Sequence, residues 1–285
     1  MSSTSDVSGA APRSGEEFLR AFHDRAPGRQ SALVEATRTA NGQTSYQELA
    51  SRVIGAQRVL DLGCGDGALL EVLAGSGART LAGIDLSEAE LALAQERPAL
   101  ARADLRCGRA QELPFPDAAF DAVVSHIAFM LMVDPEQVAA EAARVLVPGA
   151  SLALAVGGGA VVGEAMELFL SLARPHFQAA ATAGRRMPQL GSRETRTREG
   201  LDQILAPVGF APVSWESIVI DQSGTPEQVW QSNLSMFYDV VMLDTDQLAQ
   251  LRQAFVADSS ALLVDDRLPC GMRINIATTR ITHLR

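Results

Sequence analysis

Short apolar runs alternate with longer amphipathic stretches through the middle of the chain. The apolar runs predict β-strands near residues 58–62, 80–85, 104–107, 120–125 and 150–156. The stretches between them carry apolar residues at helical spacing and predict helices near 67–75, 87–96 and 135–146. Strands that alternate with helices of this length form a parallel, doubly wound sheet. The pattern therefore predicts an α/β fold whose ligands bind outside the carboxyl ends of the strands.

The flanks of this core have a different pattern. Residues 14–57 carry apolar stripes at helical spacing, so they predict a helical segment before the first strand. After the core, a helical insertion is predicted over 225–258, and a final alternating strand over 272–279. The predicted organisation is a disordered tail at 1–13, a helical segment at 14–57, a core at 58–156 and the rest of the sheet with its insertions at 157–285.

The first strand leads into a glycine-rich loop. The strand ends at Asp61, and Gly63, Gly65 and Gly67 follow at every second position before a helical pattern begins at Ala68. Glycine is needed where a chain turns sharply and its backbone contacts a ligand. The N-terminus of the next helix offers free N–H groups and the positive end of its dipole. The loop therefore predicts a cradle for a ligand that carries a carboxylate or a phosphate.

Two classes of ligand use such a loop. Gly63, Gly65 and Ala68 match the dinucleotide fingerprint G-x-G-x-x-G/A loosely, so an NAD(P)-dependent oxidoreductase is one alternative. Asp61 would face an anionic pyrophosphate unfavourably, but it suits a cationic ligand. Asp85 ends the second strand 22 residues after Gly63. That spacing is near the ~20 residues expected for a carboxylate that binds a ribose.

The pattern D-x-G-x-G-x-G resembles the first motif of class I S-adenosylmethionine-dependent methyltransferases. Further segments follow in the order and spacing of that family, at 112–117, 120–126 and 144–150. The resemblance is strongest over 52–156. It implies a Rossmann-like methyltransferase fold with a seven-stranded, mostly parallel sheet, an N-terminal helical lid and a helical insertion before the last strand. It also implies methyl transfer from S-adenosylmethionine to a small molecule, as in bacterial natural-product pathways.

The resemblance assigns residues to the cofactor site. They are Asp61, Gly63, Cys64, Gly65, Gly67, Asp85, Leu86, Ala110, Gln111 and Ser125. One departure is Arg109, because the family usually reads Gly-Asp-Ala where this chain reads Gly-Arg-Ala. Arginine only donates hydrogen bonds, so it cannot accept one from the adenine amino group. The Ala110 backbone or the Gln111 side chain is expected to take that role.

Candidates for the substrate pocket and the chemistry lie on several segments. Tyr46, Trp230, Phe237 and Tyr238 are expected to line the pocket, although aromatic residues at helical spacing are also typical of a core.

His126 directly follows the fourth strand and is the first candidate for a general base, because an unperturbed histidine pKa near 6.5 suits proton transfer. His23, on the predicted lid, is the second. The competing interpretation makes both histidines structural. A fold that binds S-adenosylmethionine without transferring its methyl group remains a further alternative.

Composition narrows the function classes. A net charge of −10 argues against a nucleic-acid substrate, since phosphate backbones need a basic surface. The chain has no lysine, which excludes Schiff-base chemistry. Its three cysteines, Cys64, Cys107 and Cys270, form no C-x-x-C pair, so neither a disulfide framework nor a metal site is expected. No apolar run reaches the ~18 residues of a membrane span. We expect a cytoplasmic monomer or homodimer with no nucleic-acid or membrane partner.

Overall fold

A computed structural model describes residues 14–282 of the chain. Its centre is an eight-stranded sheet with the strand order β1-β7-β8-β6-β5-β2-β3-β4. The strands are β1 (Arg38–Thr39), β2 (Arg58–Leu62), β3 (Thr80–Asp85), β4 (Asp104–Cys107), β5 (Phe120–His126), β6 (Leu146–Ala160), β7 (Ser214–Asp221) and β8 (Gly271–Arg280). The tail predicted at 1–13 lies outside the described residues.

Helices cover both faces of the sheet and one of its edges. They are α1 (Gly15–Arg25), α2 (Arg29–Glu35), α3 (Ser45–Ser51), α4 (Ala68–Gly75), α5 (Glu88–Glu96), α6 (Pro135–Val145), α7 (Ala165–Thr182), α8 (Arg198–Leu205), α9 (Pro226–Met236) and α10 (Thr245–Ser259). Within the described part of the chain, no helix combines the length and the apolar character that crossing a membrane requires.

The predicted doubly wound sheet is confirmed. Strands β4, β3, β2, β5 and β6 are parallel neighbours, and β8 lies antiparallel between β6 and β7. One strand more than the predicted seven is present, because β1 pairs with the edge of β7 inside a segment predicted to be helical. The boundary drawn after residue 156 falls inside β6, which continues through its glycines to Ala160 beside β8.

The core lies on both faces of the sheet. On β2, Leu60 and Leu62 face one apolar cluster, which includes Phe120, and Val59 faces the other. Because a parallel sheet is covered on both faces, its strands are apolar at nearly every position, which is why the sequence pattern identified them. A third apolar cluster, centred on Phe169, joins α7, α9 and α10.

The N-terminal segment lies over the carboxyl edge of the sheet. The Ser87 hydroxyl donates to Asp24 at 2.6 Å, and the Gly28 N–H donates to Glu90 at 2.9 Å, so α5 holds the end of α1 and the start of α2. The Gln30 amide donates to the carbonyl of Ser235 at 3.2 Å. The helical lid that the sequence predicts is therefore tied both to the core and to the helical insertion.

Substitution of Gly67 by alanine, compared with the same change at Gly42, separates the cost of packing from the cost of backbone strain. An added Cβ would lie 2.5 Å from Leu100 Cδ1, and φ is +79°. Gly42 has a φ of +81° and open space around the same position, so it is the matched control. We expect Gly67→Ala to lower the free energy of unfolding by about 1–3 kcal/mol more than Gly42→Ala, as measured by urea denaturation. Equal losses would show that α4 shifts to accept the methyl group.

Candidate functional site

A cavity of about 570 Å³ opens at the carboxyl edge of the sheet. Its floor is formed where β2, β3, β5 and β6 end, and residues of α1, α2 and α9 contribute to its wall. Ligand pockets of proteins typically occupy ~300–1,000 Å³. The separate motifs that the sequence places at strand ends therefore meet around one space.

The glycine loop forms one wall of the cavity. Gly63 and Gly65 have φ values of +73° and +52°, which β-carbon-bearing residues rarely adopt. A Cβ on Gly63 would lie 2.4 Å from Ala128 Cβ, so this glycine is needed for packing. A Cβ on Gly65 would meet nothing closer than a Glu90 oxygen at 3.9 Å. Gly65 therefore presents bare backbone to the cavity, as the cradle requires.

Asp61 is a buried carboxylate without a partner. It is 2 % exposed, it lines the cavity, and no donor in residues 14–282 reaches its Oδ1. Burial, and after it the neighbouring Asp85, raise the pKa of Asp61 well above its usual value. Buried polar atoms are nearly always hydrogen-bonded, so a lone carboxylate oxygen at a cavity indicates a cationic or donating ligand.

Asp85 is held differently. Its two oxygens accept from the backbone N–H groups of Gly65 at 2.8 Å and Ser87 at 2.9 Å. Burial raises the pKa of Asp85, although these two hydrogen bonds act in the opposite direction. An ionised carboxylate has about four acceptor positions, so each oxygen can still accept from a ligand hydroxyl. The carboxylate is thereby fixed in orientation beside the loop.

Arg109 stands where the family usually has an acid, and its side chain pairs with the lid instead. Its Nε lies 2.9 Å from a carboxylate oxygen of Glu16, on α1, and the side chain is half exposed. The Gln111 amide donates to the carbonyl of Val133 at 2.7 Å. Ala110, Gln111 and Leu86 all line the cavity. An ion pair that the sequence did not indicate therefore joins the lid to this end of the cavity.

His126 lies in the cavity wall in a largely apolar setting. Its Nε2 is 2.8 Å from the Ser45 hydroxyl, and its ring packs edge-on against Tyr46 with centroids 4.6 Å apart. Burial lowers the pKa of His126 to about 3. The imidazole is therefore neutral at ordinary pH, rather than titrating in the working range as the sequence analysis assumed.

His23 has a charged partner. Its Nδ1 lies 3.0 Å from the buried carboxylate of Glu90, and its Nε2 lies 3.2 Å from the Tyr238 hydroxyl. Glu90 was not among the expected site residues. It stands three residues after the cap of α5, where an acid is ordinary, so no sequence signal distinguished it. The contact joins the lid, the core and the segment after α9 at the cavity.

Three expected site residues lie away from the cavity lining. Ser125 is fully buried and bridges two backbone groups, donating to the Leu62 carbonyl and accepting from the Phe129 N–H. Gly67 packs against Leu100. Trp230 was expected in the substrate pocket, but it is 3 % exposed and belongs to the core cluster around Phe169. In the described structure these three are held by packing and backbone contacts.

The remaining expected residues are brought together. Lining the cavity are Asp61, Gly63, Cys64, Gly65, Asp85, Leu86, Ala110, Gln111, His23, His126, Tyr46, Phe237 and Tyr238. In the part of the chain that the structure describes, no group of three or more histidine, cysteine or acidic side chains could hold a metal ion. The cavity is thus acidic along the glycine loop and bears two histidines.

Sequence comparisons agree with this geometry. Residues 60–154 match the family model described as a methyltransferase domain. A probable S-adenosylmethionine-dependent methyltransferase from Mycolicibacterium smegmatis is 40% identical over 104 residues, which are 36% of this chain and 39% of that protein. The 27-O-demethylrifamycin SV methyltransferase from Amycolatopsis mediterranei is 40% identical over 101 residues, 34% of this chain and 37% of that protein. The matched segment thus spans under two fifths of each of these relatives.

Similarity in three dimensions extends over nearly the whole chain. The crystal structure of the [4+2]-cyclase SpnF has a TM-score of 0.58 and 21% sequence identity, and the match covers 96% of this chain and 98% of that one. At this level of identity the likeness concerns the fold alone. Residues 60–154 of the chain therefore match a methyltransferase domain, and the sheet order and the glycine loop of the described structure agree with that match.

Proposed function

We propose that this protein transfers the methyl group of S-adenosylmethionine to a small-molecule acceptor. The observation that carries the proposal is the buried Asp61 carboxylate, which faces the cavity beside the glycine loop and lacks a partner within the described chain. A cationic ligand would complete its interactions. S-adenosylmethionine carries an ammonium group and a sulfonium, whose methyl group is electrophilic.

The residues present fit this cofactor. Asp61 would bind its cationic end, and the bare backbone at Gly65 lets the ligand approach the loop. Asp85, already oriented by two N–H groups, would accept from ribose hydroxyls. A dinucleotide fits less well, because Asp61 would repel its pyrophosphate. These contacts would orient the reacting groups, and orientation alone can supply up to about 7–11 kcal/mol of the barrier.

The two histidines suit different tasks in this proposal. Burial would leave an imidazolium at His126 poorly solvated, and this lowers the pKa of that histidine to about 3. His126 is therefore better suited to orient an acceptor through a hydrogen bond than to keep a proton. Glu90 holds the His23 ring through Nδ1, which leaves Nε2, 3.2 Å from the Tyr238 hydroxyl, as the nitrogen that could accept a proton. Where the acceptor must lose a proton, His23 is therefore the candidate general base on geometry.

The name of one relative bears on the class of the acceptor. One relative is named a 27-O-demethylrifamycin SV methyltransferase, which supports an intermediate of secondary metabolism as the acceptor here. A fold that binds the cofactor without methyl transfer is distinguished by assaying S-adenosylhomocysteine release with a panel of small acceptors. The cytoplasmic location expected from the sequence stays a prediction.

Cofactor preference gives the direct experiment on the proposed function. Calorimetry of the full chain should show binding of S-adenosylmethionine and of S-adenosylhomocysteine, because both carry the ammonium group and the ribose. NADH should not bind, because its pyrophosphate meets Asp61. Binding of NADH without either methionine derivative would refute the proposal.

Asp61→Asn should change cofactor affinity and thermal stability in different ways. We expect the affinity for S-adenosylmethionine to fall roughly 10–100-fold, the range of a charged hydrogen bond. The midpoint of thermal unfolding of the free protein should hold or rise, since an unpaired buried charge is removed. The matched control is Asp121→Asn, where the carboxylate binds Arg58 at 2.6 Å at the opposite edge of the sheet. The control should lose stability and retain affinity, and the reverse pattern would show that Asp61 does not bind the ligand.

His126 makes stability depend on pH. Its folded pKa of about 3 lies below the unfolded value, so the unfolded chain binds the extra proton and stability falls as pH drops from about 6.5 towards 3. At about pH 5 the loss reaches up to about 2 kcal/mol. In urea denaturation, His126→Gln should remove that part of the decline in the free energy of unfolding. At pH 8 the histidine is neutral in both states, so the difference between the variant and wild type there reports packing alone. If wild type and His126→Gln lost stability equally between pH 8 and pH 5, His126 would be able to carry a charge in the folded protein.

A further inference from the structure

Methionine forms much of the apolar lining of the cavity, and the part that it lines is called the chamber below. Six of the eight methionines in the chain line it, namely Met130, Met132, Met166, Met187, Met236 and Met272. Leu170, Leu190 and Phe237 complete an apolar surface. Methionine is unbranched and flexible, so walls made of it adapt to irregular apolar shapes. The chamber therefore suits a bulky apolar molecule.

Arg196 is an exposed residue that also lines the cavity and adds a positive charge there. None of the residues 14–282 forms an ion pair or a side-chain hydrogen bond with its guanidinium. Asp239 also lines the cavity, but it forms no ion pair with Arg196. Partial withdrawal from water, with no acid to offset it, lowers the pKa of this arginine. An arginine in that position has all its donors available to a ligand.

The turn that carries Arg196 is firmly held. The 3-10 turn Glu194–Arg196 packs against β6 and against the turn Phe129–Leu131. Thr195 is fully buried and donates to the Ser192 carbonyl at 2.7 Å. A Cβ on Gly191 would lie 2.0 Å from the Met130 carbonyl oxygen, so the loop lies directly on that turn. The position of Arg196 at the chamber is therefore built into the fold.

Gln222 supplies a second unused polar group. It follows β7 at the carboxyl edge, where its backbone N–H donates to the Cys270 carbonyl at 2.8 Å. The residue is 9 % exposed, its side chain lines the cavity, and its Oε1 has no donor among the described residues. A buried amide oxygen without a donor is rare in proteins. A hydroxyl or N–H group on a ligand would satisfy it.

We propose that the acceptor is a predominantly apolar small molecule that carries an anionic group, bound by Arg196, and a hydroxyl or N–H group that donates to Gln222. This inference rests on the proposed function, because it names the acceptor of that site. The unpaired Asp61 and its neighbour Asp85 line the glycine-loop part of the cavity and repel an anion. Arg196 attracts the anionic group. The charges of the cavity therefore orient the acceptor with its anionic group at Arg196 and away from the glycine loop.

Two fluorescent probes test the charge at Arg196. Anilinonaphthalene sulfonate and N-phenylnaphthylamine share an apolar aromatic body and an N–H group, and only the first is an anion. Both are titrated into the full chain saturated with S-adenosylhomocysteine, which leaves the acceptor chamber open. Arg196→Gln should weaken the sulfonate roughly 10–100-fold, the range of charged hydrogen bonds. It should change the neutral probe by less than about twofold, and Arg196→Lys should restore part of the loss.

Arg193→Gln is the matched control, because Arg193 lies on the same loop and outside the cavity lining. It should leave both affinities unchanged. Equal affinity of the sulfonate for wild type, Arg196→Gln and Arg193→Gln would overturn the inference. S-adenosylhomocysteine binding is measured on the same samples. Its absence from wild type counts against the proposed function, whereas intact binding without an Arg196 effect counts against the acceptor class alone.

Gln222→Leu tests the second contact. Removing an amide oxygen that lacks a donor should raise the midpoint of thermal unfolding of the free protein. It should also weaken N-phenylnaphthylamine roughly threefold, as expected for one neutral hydrogen bond. A lower unfolding midpoint together with unchanged probe affinity would show that the fold itself uses Gln222, and would remove it from acceptor recognition.

Discussion

Several carboxylates are buried at one edge of the sheet, and burying charge costs free energy unless each charge finds a partner. Asp66 is paired with Arg97 at 2.6 Å, Glu90 with His23, and Asp85 with two backbone N–H groups. Asp61 alone has an oxygen with no donor among residues 14–282. Much of the surrounding structure, including the glycine loop and the first helices, can be understood as the set of partners that makes this concentration of negative charge tolerable.

The parts of the fold that follow from local pattern were predictable. Leu60 and Leu62 belong to an apolar run because both faces of their strand are covered, and Gly63 and Gly65 adopt positive φ values as the motif requires. Asp61 and Asp85 reach one cavity because parallel strands end at one edge. These inferences need only the spacing of apolar residues along the sequence and the rule that parallel sheets bind ligands at the carboxyl ends of their strands.

What the sequence left open depends on contacts between distant segments. Ser125 and Gly67 belong to the right motifs, yet their surroundings assign them to packing. The low pKa of His126 depends on how completely Ser45, Tyr46 and the strands enclose it. Glu16 and Arg109 meet only because α1 crosses the cavity. None of these environments has a local signature, since each arises from residues tens of positions apart.

The short strand β1 has a consequence for how the cavity exchanges its contents. Arg38 and Thr39 pair with Asp221 and Ile220, so the chain is fastened to the edge of the sheet directly after α2. The helices before that point are held by a few side-chain hydrogen bonds, such as those of Ser87 and Gln30. Arg38 is therefore the first residue of the described chain to join the sheet, and we expect any opening of the lid to turn about the segment just before it. Because α1 and α2 both contribute to the cavity wall, entry of a cofactor and entry of an acceptor would then require the same movement.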